Sequence, residues 1–204
     1  MNTKSSTLSR VTVQRVERLG EGYAVDVSVL KTGSQLASLT FSINDAPVPD
    51  RRFSCDAVDI TSIGSRVRLC FAQSNLVGDG WLAMVAINMS REGVTYFLRS
   101  VAASEAKPKF DAFVIGQEAA LTPFTTPPSN SVILSANLVA AGFLGSDGCL
   151  DFYSASVFAF QRAPVTNKLQ VEPVVRINLP AELIFAIVRK LQELYPAESV
   201  KKII

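Results

Sequence analysis

Two thirteen-residue runs decide the fold: INMSREGVTYFLR at residues 87–99 and INLPAELIFAIVR at residues 177–189. They align without a gap, sharing the Ile, the Asn, the Glu and the final Arg. With each run read on by two residues, Val94, Phe97, Leu98 and Val101 in the first fall at i, i+3, i+4 and i+7, the spacing of a helix with one buried stripe. In the second, Ile184, Ile187, Val188 and Leu191 fall at the same four positions. Upstream, Leu69-Cys70-Phe71 matches Leu150-Asp151-Phe152, and Asp56-Ala57-Val58 matches Asn137-Leu138-Val139, with an insertion around residues 162–170 of the later stretch. The shared stripe phase, preceding strand and helix start lead us to expect an internal β-β-α duplication, near residues 56–103 and 136–195.

The expected fold class is therefore α+β: a mostly antiparallel β-sheet with two amphipathic helices, one from each unit. Trp81 to Met89 is nearly all apolar and reads as a strand buried on both faces. Gly93 costs about 1 kcal/mol relative to alanine inside a helix, so the first helix is expected to be short or frayed. Pro180 suits the first position of the second helix, Glu182 its first turn, and Pro196 its stop.

The first fifty residues read as a three-stranded antiparallel meander. Val11, Val13 and Val16 precede a Gly20-Glu21-Gly22 turn, and Tyr23, Val25, Val27 and Val29 alternate with smaller or polar residues. Leu39, Phe41 and Ile43 repeat the alternation before the proline-containing stretch 44–50 ends it. Between the two units, residues 122–130 hold three prolines among small polar residues, the signature of an extended linker or surface loop. We expect residues 1–103 to carry the meander and first unit, 104–130 a Pro-rich linker, and 131–204 the second unit.

Composition narrows the chemistry. Of 204 residues, 48% are apolar and only 19% charged, and the mean hydropathy is +0.26. A membrane helix needs roughly 18–20 consecutive apolar residues; the nearest approach, residues 132–145, is shorter and interrupted by Ser135 and Asn137. The apolar surplus thus points to a thick core or a subunit interface, and no membrane insertion is expected. The amino terminus lacks the apolar block of a secretory signal, which makes the cytoplasm the expected location. Cys55, Cys70 and Cys149, an odd number with no close pair, read as small apolar residues within strands rather than a disulfide framework. The net charge of +2 is spread along the chain, and Glu17 lies among Arg10, Arg15 and Arg18, so no nucleic-acid partner is expected.

Histidine is absent. That excludes a histidine general base, a Ser-His or Cys-His nucleophile and a His-ligated zinc site within one chain. Neither GxxxxGK[ST] nor GxGxxG occurs. Gly78-Asp79-Gly80 and Gly145-Ser146-Asp147-Gly148 each place Asp-Gly between apolar strands, and read as hairpin turns. The carboxylate pairs Asp56 with Asp59 and Asp147 with Asp151 are the nearest candidates for acid–base work, and Ser65, Ser90 and Ser146 lack a recognisable activating partner. No catalytic residue, metal ligand or cofactor is expected. Trp81, Tyr96 and Tyr153 are the candidate partner-binding residues, because Trp and Tyr are enriched at interface hot spots; Phe97 and Phe152 read as core.

The segment VVRINLPAELIFAIVRKLQELYP, preceded by a strand ending in LDF, resembles a small bacterial family of uncharacterised domains in which a strand leads through an R-I-x-[LM]-[SP] junction into one amphipathic helix. The first stretch departs from that pattern at Ala86 and Gly93. The resemblance implies a fold and no activity. The expected function is a non-enzymatic protein-interaction or assembly protein that binds another protein or itself as a homo-oligomer. One alternative is a holdase similar to the SecB export chaperones, by analogy of architecture alone. The other is a histidine-independent enzyme or small-ligand-binding protein with a pocket between the repeats.

Overall fold

A computed structural model describes residues 10–19, 22–30, 37–42, 46–76, 80–102, 132–166 and 169–196. The 104–130 segment expected to be a linker lies outside them. The chain forms two compact units, residues 1–46 with 155–171, and residues 47–154 with 172–204.

In the smaller unit, β1 (Arg10–Leu19), β2 (Gly22–Leu30) and β3 (Ala37–Ser42) form an antiparallel sheet in chain order, which is the expected meander. Ile43 lies outside the described residues. The same unit contains a helix absent from our expectation, α2 (Val157–Thr166). It runs into the insertion of the later stretch, overlapping it at residues 162–166. Ser156 starts it: its hydroxyl accepts from the Ala159 N–H at 3.1 Å, satisfying a donor that a helix start leaves open.

The larger unit holds two four-stranded sheets. One runs β5 (Ala57–Ile63), β6 (Arg66–Ser74), β7 (Trp81–Ser90), β8 (Val132–Ala136); the other runs β4 (Arg52–Ser54), β11 (Glu172–Pro180), β10 (Asp147–Ser154), β9 (Leu138–Leu144). Helix α1 (Arg91–Ala102) follows β7, and α3 (Ala181–Leu194) follows β11. The fold is α+β, but with three helices among the described residues instead of two and with mixed sheets. In each sheet two joins are antiparallel and the third, β7 with β8 or β11 with β4, is parallel. A parallel neighbour cannot arrive through a tight hairpin. Here it comes from the other half of the chain: β4, which precedes β5–α1, pairs with β11, and β8, which precedes β9–α3, pairs with β7.

The two sheets share one register. Val58 stands opposite Phe71 and Leu69 opposite Ile87 in the first; Val139 stands opposite Phe152 and Leu150 opposite Ile177 in the second. Bulges fall at Phe71/Ala72 and at Phe152/Tyr153. The parallel joins also correspond, Ile87 facing Leu134 and Ile177 facing Phe53. Positions matched in the alignment of the two runs therefore occupy matched places in the two sheets.

The apolar run 132–145 breaks at Asn137 into β8 and β9, one strand for each sheet. Its turns also differ from expectation. Gly145 and Ser146 form the β9–β10 loop, with Gly145 at φ 62°, while Asp147 pairs with Leu144 and Gly148 with Phe143 inside the ladder. Gly64 at φ 59° does the same between β5 and β6. Positive φ at the first loop residue suits a two-residue hairpin and favours glycine. Gly148 serves packing instead: a Cβ there would lie 2.5 Å from Ile184 Cδ1. Around Gly80, residues 77–79 lie outside the described set.

The stripe of α3 is buried as expected, and that of α1 is buried in its first part, the side chain of Val101 lying outside the described residues. Val94 and Phe97 of α1 and Ile184, Ile187, Val188 and Leu191 of α3 are buried, and Leu98 is half-buried. α1 packs on β9 and α3 on β5, so the helices too cross between halves. One core results, with Phe71 and Phe152, matched residues of the two sheets, in edge contact at 6.0 Å and 67°. Pro180 sits at the N-cap instead of the first helical position, and the Ala181 N–H donates to the Ser146 carbonyl at 2.8 Å. Ser90 caps α1, accepting from the Gly93 N–H at 3.2 Å.

Helix α1 spans twelve residues despite Gly93, and the reason is steric. A Cβ at Gly93 would lie 3.0 Å from the Asn137 carbonyl oxygen and 3.1 Å from its Cα, so the glycine lets the helix approach the β8–β9 junction. Helix propensity alone predicts a gain of about 1 kcal/mol for Gly93→Ala. The contact with rigid backbone predicts a loss, of about 1–3 kcal/mol. Urea denaturation decides between them, and a stabilised variant would refute the packing account.

Candidate functional site

On β10, Leu150 and Phe152 face the core, which turns Cys149, Asp151 and Tyr153 to the opposite face by strand alternation. Arg176 lies directly across from Asp151 on β11. Its Nε donates to Asp151 Oδ1 and its Nη2 to Oδ2, both at 2.6 Å, a two-pronged pairing. Asp151 is the buried charged side chain among the described residues. The hydrogen bond from Arg176 to Asp151 pushes the guanidinium pKa further up, so that it stays charged.

Tyr153, also buried, hydrogen-bonds to the same carboxylate. Burial first, and then the Asp151 charge, push its phenol up to about 12. Burial and Asp151 likewise push up the Cys149 thiol. Cys55 is raised to about 12 by burial, with Asp56 adding to it, and Cys70 is raised by burial and Asp59. A reactive cysteine needs the opposite, a stabilised thiolate. All three are free thiols; Cys70 and Cys149 lie within strands as expected, while Cys55 lies between β4 and β5.

This polar cluster occurs in one sheet. The positions matching Asp151, Arg176 and Tyr153 in the other sheet are Cys70, Ala86 and Ala72, all buried. There, Arg68 Nε donates to Asn88 Oδ1 at 3.0 Å instead.

The two carboxylate pairs do not converge. Asp56 accepts from the Ser74 N–H at 2.9 Å and from its hydroxyl at 2.7 Å, tying β6 to the start of β5, whereas Asp59 accepts from Thr61 at 3.1 Å. Asp147 and Asp151 are four residues apart on one strand, about 13 Å at the usual rise, and Arg176 occupies Asp151. Among the described residues no group of three or more His, Cys, Asp or Glu side chains is placed to hold a metal ion. No described helix is long and apolar enough to cross a membrane.

Of the three candidate partner-binding residues, Tyr96 and Tyr153 are buried and Trp81 is 39% exposed. They do not lie on one surface. Trp81 instead has a neighbourhood that sequence reading did not single out. Leu82 beside it is 52% exposed, and on the adjacent edge strand β8 Val132 and Ile133 are 48% and 55% exposed. β8 accompanies β7 over Val85–Met89 only, so Trp81 and Leu82 project beyond it. The signal was present in the unbroken apolar run at 132–134, whose edge position no periodicity reveals.

Comparison with family models, curated proteins and solved structures finds no match to the chain.

Two measurements probe the cluster. Arg176→Met leaves the buried Asp151 charge without its partner and is expected to cost about 3–5 kcal/mol, most of it regained when Asp151→Leu is added; equal losses in the single and double variants would contradict this. Phenol and thiol pKa values raised in the folded state stabilise it fully below the unfolded values of 10.0 and 9.0, and that stability disappears as pH climbs towards about 12. Melting temperature should therefore fall between pH 9 and 12, and less steeply in Cys55→Ala/Tyr153→Phe; a slope unchanged by the pair would contradict the assignment.

Proposed function

We propose that the chain is a non-enzymatic interaction or assembly protein of the cytoplasm, built by internal duplication of a β-β-α unit. Support for the duplication comes from register: matched strand pairs, bulges and parallel joins accompany the sequence match. Support for interaction comes chiefly from one observation, the exposed apolar side chains at one rim of the sheet: Trp81 and Leu82 where β7 projects beyond β8, and Val132 and Ile133 on β8, the outer strand among the described residues. Exposed apolar side chains favour association, and a sheet edge offers backbone donors and acceptors to an extended segment of another protein. Chemistry adds weight: histidine is missing, the thiols are held protonated, and Asp151 is engaged by Arg176. The partner is another protein or a second copy, gripped by Trp81 and its neighbours.

Ile133→Lys and Trp81→Ala test the rim. Ile133 is 55% exposed, so Ile133→Lys should change stability by no more than about 0.5 kcal/mol, whereas Trp81 is 39% exposed and Trp81→Ala should cost about 1 kcal/mol. Association, followed by light scattering and by quantitative crosslinking in the native cell, should fall at least tenfold in each variant. A chain that stays monomeric at high concentration and crosslinks to no protein would end the proposal.

A further inference from the structure

We infer that the chain has a second folded form, a dimer in which two copies exchange halves. The inference stands on the crossing of strands and helices, independently of the exposed rim. Neither half of the larger unit completes its own sheet. The first half, β4–α1, lends β4 to β11 and lays α1 on β9; the second half, β8–α3, lends β8 to β7 and lays α3 on β5. The smaller unit is divided the same way, its meander lying before residue 103 and its helix α2 after residue 131.

Every one of these contacts joins elements separated by residues 103–131, and none depends on those elements belonging to the same chain. A second copy supplies each of them with unchanged geometry, which is the condition for domain swapping. Steric detail sets which halves combine. Gly93 of α1 allows the close approach to Asn137, where a Cβ would already lie 3.0 Å from the carbonyl oxygen. The matching position on α3 is Leu183, so a pairing of two second halves would drive a leucine into that contact. First halves thus accept second halves, and two chains that exchange reciprocally close into a twofold dimer. A single chain holds its halves at high effective concentration, which favours the monomer in dilute solution. Refolding at high concentration favours the exchange.

The test uses the full chain with a protease site introduced between residues 104 and 130, denatured and refolded at low and at high concentration. Among the described residues, the two lobes of an exchanged dimer share no contact, so the connecting segments are what join them. The dimer's mass should therefore drop on cleavage from twice to once the 22.0 kDa of the chain, with no unfolding, while cleaved monomer stays at 22.0 kDa. A dimer formed through the exposed β7–β8 rim would keep its mass on cleavage and would vanish in Ile133→Lys, which separates the two ideas. The inference is overturned if no dimer forms at any refolding concentration, if the dimer's mass survives cleavage, or if the cleaved monomer falls into separate halves.

Discussion

The parallel pairing of each sheet with a strand from the other half is the constraint on which the larger unit depends. Parallel strands need a long connection, and the chain meets that need by crossing twice. β4 reaches β11, and β8 reaches β7, with Phe53 and Leu134 at corresponding places beside Ile177 and Ile87. Helices α1 and α3 follow the same rule, each covering a strand of the opposite sheet. The single core around Phe71 and Phe152 is a result of that crossing. Without it there would be two three-stranded hairpin sheets, each with an open edge and a helix packed only on its own strands.

The helices were legible because their information is local. An i, i+3, i+4, i+7 stripe has only one way to be buried, and Ile184, Ile187, Val188 and Leu191 are buried as that pattern requires. Alternation in the meander was equally direct. The parallel joins were not legible, since β4 is three residues long and β8 is an apolar run with no period of its own; what makes them strands is a partner far away in sequence. Gly93 illustrates the limit from the other side. Propensity counted it as a defect, whereas its value lies in a backbone contact with Asn137 that no local window contains. Helix α2 was missed for a related reason: its cue is the single Ser156 cap, and its second half lies in the insertion at residues 162–170.

The site was legible mainly by exclusion. Absence of histidine removed whole mechanisms, and burial then raised the thiols that remained. Asp151 gave no hint of its role, because its partner Arg176 is twenty-five positions on and only the β10–β11 register sets them opposite each other. Matched positions in the other sheet are apolar or small. The two sheets thus share a backbone plan while differing in what their faces carry, and the difference is concentrated where Asp151, Arg176 and Tyr153 meet. Trp81 kept its exposure, while Tyr96 and Tyr153 went to satisfy the interior.

The placing of β4 beside β11 also orders events at the ribosome. β4 emerges early but has no place to dock until residues 176–178 have been made, so the sheet that it borders is finished only as the last helix leaves the tunnel. Growing chains must carry that strand without this partner while residues 55–175 are made, a long-range closure of the kind that slows folding. Truncation near the carboxyl end would thus undo structure at both ends of the larger unit at once.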